Sequence, residues 1–303
     1  MKKSNSNAII SRKSEVSPLI RQTLRHAFAL GLLAMAGVIS ARAGEDRFAT
    51  LDGMKIHYLD RGTGARTIVL VHGWNCDSSV WQVQIDGLAP TMRVIAIDLP
   101  GHGQSEKPTL SYTMELHARA IDAVLREAKV ERATLVGHSN GTPVVRQFYR
   151  MFPKKTEALV LVDGALRPFA EASEMEKFIA PMREPGYAEY VGKLVERMTR
   201  AMKDDGQREA VKTMMARAPQ HVAVSEMEGL LRPELWTPDK IDVPTLIVLA
   251  KQPAWNADYE RFVRELVPIV DYQVWEGVSH FLMLDKAPEF NAAVLAFVAK
   301  NAQ

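Results

Sequence analysis

The stretch Leu135-Val136-Gly137-His138-Ser139-Asn140-Gly141 constrains this chain more than any other. Ala133 to Val136 reads as a strand and Thr142 to Met151 as a helix, so a sharp turn must join them. That turn carries G-x-S-x-G at Gly137, Ser139 and Gly141. Side chains at 137 and 141 would collide with the neighbouring strand and helix, so both positions need hydrogen. Ser139 in such a turn has its hydroxyl lifted above the sheet. The amide-rich N-terminus of the following helix favours developing negative charge beside it. This is the outline of a nucleophile elbow.

The rest of the chain alternates around it. Phe48–Leu51 and Met54–Tyr58 flank Asp52-Gly53, a hairpin signature. Thr67–Val71 and Arg93–Ile97 are unbroken apolar runs, as in buried parallel strands. Ser78–Leu88 predicts a helix between them, and about Met114–Ala128 a longer one before the elbow strand. Ala158–Val162 is the next strand. Strand and helix alternating in this way predict an α/β fold: a mostly parallel central sheet with right-handed crossovers, flanked by helices. From 167 to 236 the strand signal stops. Met175, Met182, Met198, Met202, Met214, Met215 and Met227 recur at helical spacing, and Pro181, Pro185, Pro219 and Pro233 divide the segment into short helices. This predicts an inserted helical cap. Residues 44–166 and 237–303 then form the core, with further strands at Val243–Leu249 and Tyr272–Trp275 and a last helix from about Pro288 to Lys300.

Residues 1–43 read as an export signal. A cationic stretch ends near His26, an apolar run covers Ala27–Ile39, and Ala41-Arg42-Ala43 is an A-x-A cleavage pattern. The expected location is therefore periplasmic or secreted, after cleavage near Ala43. The apolar run is too short for a comfortable membrane span. The leader also explains the formal charge of +2. It holds seven Lys and Arg against Glu15 alone, a net of +6, which leaves −4 for the remainder and no reason to expect nucleic-acid binding. Cys76 is the only cysteine, so no intramolecular disulfide forms. It reads as a small buried residue at a helix start. No metal-ligand cluster or phosphate-cradling loop is visible, so no cofactor is expected.

A serine hydroxyl needs a base to take its proton. His280, in Glu276-Gly277-Val278-Ser279-His280-Phe281 after the last strand, is the best placed. Parallel strands deliver their following loops to one edge, the edge that carries Ser139. His57, in the early hairpin, and His117 and His221, on helices, read as ordinary, partly exposed histidines. His138 adjoins Ser139 but points elsewhere. His102 lies in the loop Asp98–Gly103, which reads as structural.

Val71-His72-Gly73-Trp74, Asp98-Leu99-Pro100-Gly101-His102-Gly103-Gln104-Ser105, Gly137-His138-Ser139-Asn140-Gly141 and Gly277-Val278-Ser279-His280-Phe281 follow one another at characteristic spacing. In these motifs the chain resembles the α/β-hydrolase fold family, particularly its capped serine esterases. The resemblance implies an oxyanion hole formed by the main-chain N–H groups of Trp74 and Asn140. Two such donors would supply about 3–4 kcal/mol each to an oxyanion. It also implies a triad acid just after the penultimate strand, and there the chain departs from the pattern: position 253 is proline. Asp258 is the nearest carboxylate, but it precedes a helix and reads equally well as its N-cap. Asp163, at the end of the strand after the elbow, is the preferred acid, because some similar family members take theirs from that strand. Asp163 also reads as a turn former before Gly164.

The reading is an exported serine hydrolase acting through Ser139, His280 and Asp163 on a small or medium carboxylic ester, its one expected partner. The oligomeric state is open. Family members with dehalogenase or epoxide-hydrolase chemistry carry aspartate where this chain has Ser139. The alternatives are a C–C bond hydrolase of the meta-cleavage type with the same triad, and a non-catalytic binding protein on a hydrolase scaffold.

Overall fold

Thr67–Val71 (β3) and Arg93–Ile97 (β4) are apolar along their whole length because both faces of the sheet are covered; Ile68, Val69, Leu70, Val71, Val94, Ile95, Ala96 and Ile97 are all inaccessible to solvent. The computed structural model describes residues 46–168 and 170–301, so the leader expected at 1–43 lies outside it. Six further strands join these two: β1 (Asp46–Leu51), β2 (Met54–Arg61), β5 (Ala133–His138), β6 (Thr156–Val162), β7 (Thr245–Ala250) and β8 (Val270–Trp275). The sheet order is β1-β2-β4-β3-β5-β6-β7-β8. β2 runs antiparallel to both its neighbours, and every other pair is parallel. Asp52 and Gly53, with φ of 49° and 86°, form the turn between β1 and β2.

Helices α1 (Gln82–Leu88), α2 (Met114–Glu127), α3 (Gly141–Met151), α8 (Ala257–Leu266), α9 (Leu282–Asp285) and α10 (Ala287–Lys300) belong to the core. Helices α4 (Ala172–Ile179), α5 (Tyr187–Thr199), α6 (Asp205–Met215) and α7 (Gln220–Gly229) make up the segment between β6 and β7. Among the described residues that segment holds no strand. Of its methionines, Met175, Met182, Met202, Met214, Met215 and Met227 are buried in the apolar cluster.

Local geometry differs from expectation in two places. The helix expected over Ser78–Leu88 opens as a 3₁₀ turn, Ser78–Trp81, before α1 begins. There Asp77 accepts the Ser79 N–H at 2.9 Å and Asp98 accepts the Ser78 N–H at 2.6 Å, which holds the entry turn tight. β5 runs two residues past Val136, because Gly137 and His138 still pair with Leu161 and Val162 of β6.

The inserted helices are tied to the core by buried polar groups. Arg146, on α3 and 1% exposed, donates to the carbonyls of Leu166 and Thr237, the residues bracketing 167–236. Arg150, one turn on, donates to Leu235 and Thr237. Both stems of the insertion are thereby held to the helix that follows the elbow. Trp74 donates its indole N–H to Ala223 of α7 at 3.0 Å.

Candidate active site

Ser139 and Asp163 are built in the same way on neighbouring strands. Each is the first residue past the end of its strand, β5 or β6. Each main-chain N–H still donates across the sheet, Ser139 to Val162 at 2.8 Å and Asp163 to Val248 at 2.9 Å. Each then turns into the left-handed region, with φ of 53° and 43°. That conformation costs a non-glycine residue about 1–2 kcal/mol and persists because the ladder bonds and close packing over-determine it. A Cβ at Gly137 would lie 2.3 Å from the Gly141 carbonyl, and one at Gly141 would lie 2.6 Å from the Val71 carbonyl. The turn therefore closes only with hydrogen at both positions.

His280 comes from the loop between β8 and α9 and reaches back over the edge of β7. Ser139 Oγ lies 2.8 Å from His280 Nε2, and His280 Nδ1 lies 2.6 Å from Asp163 Oδ2. The hydroxyl donates to Nε2, and Nδ1–H donates to the carboxylate. Asp163 is 4% exposed and the His280 side chain 22%, so the chain of bonds runs from a buried anion to a half-buried hydroxyl. Asp258 takes no part. It is exposed on the first turn of α8 and pairs with Arg261 at 2.5 Å. The expectation that it caps this helix is corrected. The N-cap is Asn256, whose side chain accepts the Tyr259 N–H at 3.0 Å.

The loop carrying Trp74 packs against the elbow; a Cβ on Gly73 would lie 3.0 Å from Ser139 Cβ. Among the described residues the main-chain N–H groups of Trp74 and Asn140 have no hydrogen-bond partner. His72 Nδ1–H donates to the Gly73 carbonyl at 2.9 Å, and its Nε2 accepts the Leu99 N–H at 3.0 Å. The imidazole therefore splints this loop to the one after β4.

These strands, their order and this elbow have a counterpart elsewhere. Residues 66–199 match the sequence model of the family described as the alpha/beta hydrolase fold. The chain has the α/β-hydrolase fold. An esterase from Rhodococcus sp. is 25% identical, with a TM-score of 0.71 over 84% of this chain and 98% of that one. The acetyltransferase component of an acetoin cleaving system from Cupriavidus necator is 33% identical over 44% of this chain and 41% of its own length. A haloalkane dehalogenase from Agrobacterium fabrum is 31% identical over 45% and 46%. The chain spans less than half the length of these curated relatives.

Two histidines of this α/β-hydrolase fold, His57 and His117, depart from expectation, and two more, His102 and His138, have defined surroundings. His57, expected to be partly exposed, is 1% exposed with Nδ1 2.7 Å from Asp98 Oδ2, because β2 lies inside the sheet between β1 and β4. Burial opposes ionisation of Asp98, but bonds from His57 and the N–H groups of Gln104 and Ser78 hold it well below the usual carboxylate range. His117 is likewise buried, not exposed, with Nε2 2.7 Å from Glu226 Oε1 of α7. Burial lowers its pKa to about 3 and that of His102, 3.5 Å from the same carboxylate, to about 4, while burial raises Glu226. His138 does point away from the hydroxyl. It donates Nε2–H to the His280 carbonyl at 2.9 Å, and burial keeps it neutral, with a pKa near about 3. Among the described residues no His, Cys, Asp or Glu cluster could hold a metal ion.

Proposed function

We propose that this protein is a serine hydrolase of small or medium carboxylic esters. The observation that carries the reading is the hydrogen-bonded series Ser139 Oγ, His280 Nε2, His280 Nδ1 and Asp163 Oδ2, with links of 2.8 and 2.6 Å. Ser139 Oγ attacks the ester carbonyl carbon while its proton passes to His280 Nε2. Asp163 stabilises the imidazolium and holds its tautomer. The tetrahedral oxyanion is met by the N–H groups of Trp74 and Asn140. Its collapse expels the alcohol, which leaves with the proton from His280, and the acyl group stays on Ser139. Water then attacks the acyl carbon, gives a proton to His280, and releases the acid as that proton returns to Ser139. A hydroxyl nucleophile gives an ester that water resolves at the acyl carbon.

Export belongs to the same proposal: the leader is removed near Ala43 and the enzyme works in the periplasm or outside the cell. Among the described residues no helix is long and apolar enough to cross a membrane.

A fluorophosphonate probe and a series of p-nitrophenyl esters of graded chain length test the reading. The wild-type protein labels and turns over the shorter esters. Ser139→Ala keeps its circular dichroism and loses both. Turnover undiminished in that variant would refute the mechanism.

A further inference from the structure

The segment after β7, where a triad acid was expected, holds Pro253 and no carboxylate facing His280. It is nevertheless part of the site, because it turns two donors on the acid supplied by β6. The Ala250 N–H donates to Asp163 Oδ1 at 2.9 Å, and the Trp255 indole N–H donates to the same oxygen at 3.1 Å. His280 occupies the other oxygen, Oδ2. We propose that Trp255 is a positioning residue for catalysis. Its indole N–H pins Asp163 Oδ1 so that Oδ2 alone faces the imidazole. This rests on the triad reading above.

The local structure explains how the indole is held. The Trp255 N–H closes a turn onto the Gln252 carbonyl at 3.1 Å. The indole packs on Tyr259, with ring centroids 4.7 Å apart. Tyr259 is itself fixed: it is 2% exposed, and its hydroxyl oxygen accepts the Leu166 N–H at 3.0 Å. The carboxylate therefore sees a main-chain donor and a ring donor on one side and His280 on the other. A carboxylate lacking one donor can rotate about its Cβ–Cγ bond and share both oxygens with the imidazole. The productive tautomer and angle are then populated for less of the time.

Trp255→Phe removes the N–H and keeps an aromatic ring on Tyr259. A hydrogen bond to a charged group is worth about a tenfold factor or more, so kcat on p-nitrophenyl butyrate should fall about tenfold with KM within about twofold. One donor fewer leaves more negative charge facing the imidazole, which favours the imidazolium. The acid limb of the kcat/KM profile should therefore move to higher pH. Among the described residues His138 also faces His280, with ring centroids 4.9 Å apart, and burial keeps it neutral across this range. Trp255→His, which retains a ring N–H, should recover part of kcat. Unchanged kcat and an unmoved acid limb in Trp255→Phe overturn the role. So does a loss of activity that merely follows a lowered Tm with the limb in place. Ser139→Ala in the same assay separates the two readings. If that variant still turns over ester, the triad mechanism fails; if it is dead beside an unaltered Trp255→Phe, only the positioning role fails.

Discussion

Asp163 and Asp258 both lie near the C-terminal edge of the sheet, and their surroundings give them different work. Asp163 is buried, follows β6 directly, and accepts from Ala250, Trp255 and His280. Asp258 is exposed beside Arg261, and an exposed ion pair contributes about 1 kcal/mol at most. Asp163→Asn should lower kcat by about 10³–10⁴-fold, because the amide cannot stabilise the imidazolium and can hold the wrong tautomer. Asp258→Asn should leave kcat within about twofold and shift stability by about 0.3–1 kcal/mol through the start of α8. Steady-state kinetics on one ester, with circular dichroism as the folding control, decides between them. A large loss in Asp258→Asn and a small one in Asp163→Asn would reverse the assignment.

At the scale of elements, the contact between α2, α7 and the loop after β4 is made of His117, Glu226 and His102, all buried. Burial lowers both imidazoles, to about 3 and about 4, so the folded state leaves them neutral where the unfolded chain binds protons. The unfolded state gains protons as pH falls below about 6.5, so each histidine removes up to about 1.4 kcal/mol of stability per pH unit until its folded value is reached. Glu226 works the other way. Raised by burial, it takes its proton in the folded state at a pH where the unfolded carboxyl is still ionised, which offsets part of the loss. His72, Cys76, Tyr112, Glu115 and Tyr187 are further titratable groups around this cluster. The thermal midpoint should fall between pH 7 and pH 5, and His117→Gln should make that fall shallower. Equal slopes for the two proteins, measured by scanning calorimetry, would show that His117 takes its proton in the folded state.

For the whole molecule, every described strand and helix begins at or after Asp46. Export with cleavage near Ala43 thus leaves the sheet, the elbow and all three hydrogen-bonded residues intact. Protein recovered from the periplasm or medium should begin at Gly44 by N-terminal sequencing. A chain started there should match the full-length protein in kcat and Tm. A truncated chain that fails to fold, or full-length protein confined to the cytoplasm, would count against export.

Sequence by itself determined the parts whose cause is local. Thr67–Val71 and Arg93–Ile97 are strands because nothing but a two-faced sheet buries such runs. Gly137, Ser139 and Gly141 lie within one turn, so their spacing alone specifies a shape. His280 followed from the rule that parallel strands send their loops to one edge. Tertiary structure decided what depends on which strands are neighbours. Asp163 meets His280 because β6 lies between β5 and β7 and turns at a positive φ, information spread over residues 139, 163 and 280. The Trp255 donor, the burial of His57 inside the sheet and of His117 beneath α7, and the hold of Arg146 on both stems of the insertion are contacts across 20 to 109 residues of sequence. No periodicity or motif encodes such a pairing. It exists only once the sheet has chosen its order and the helices have closed over it.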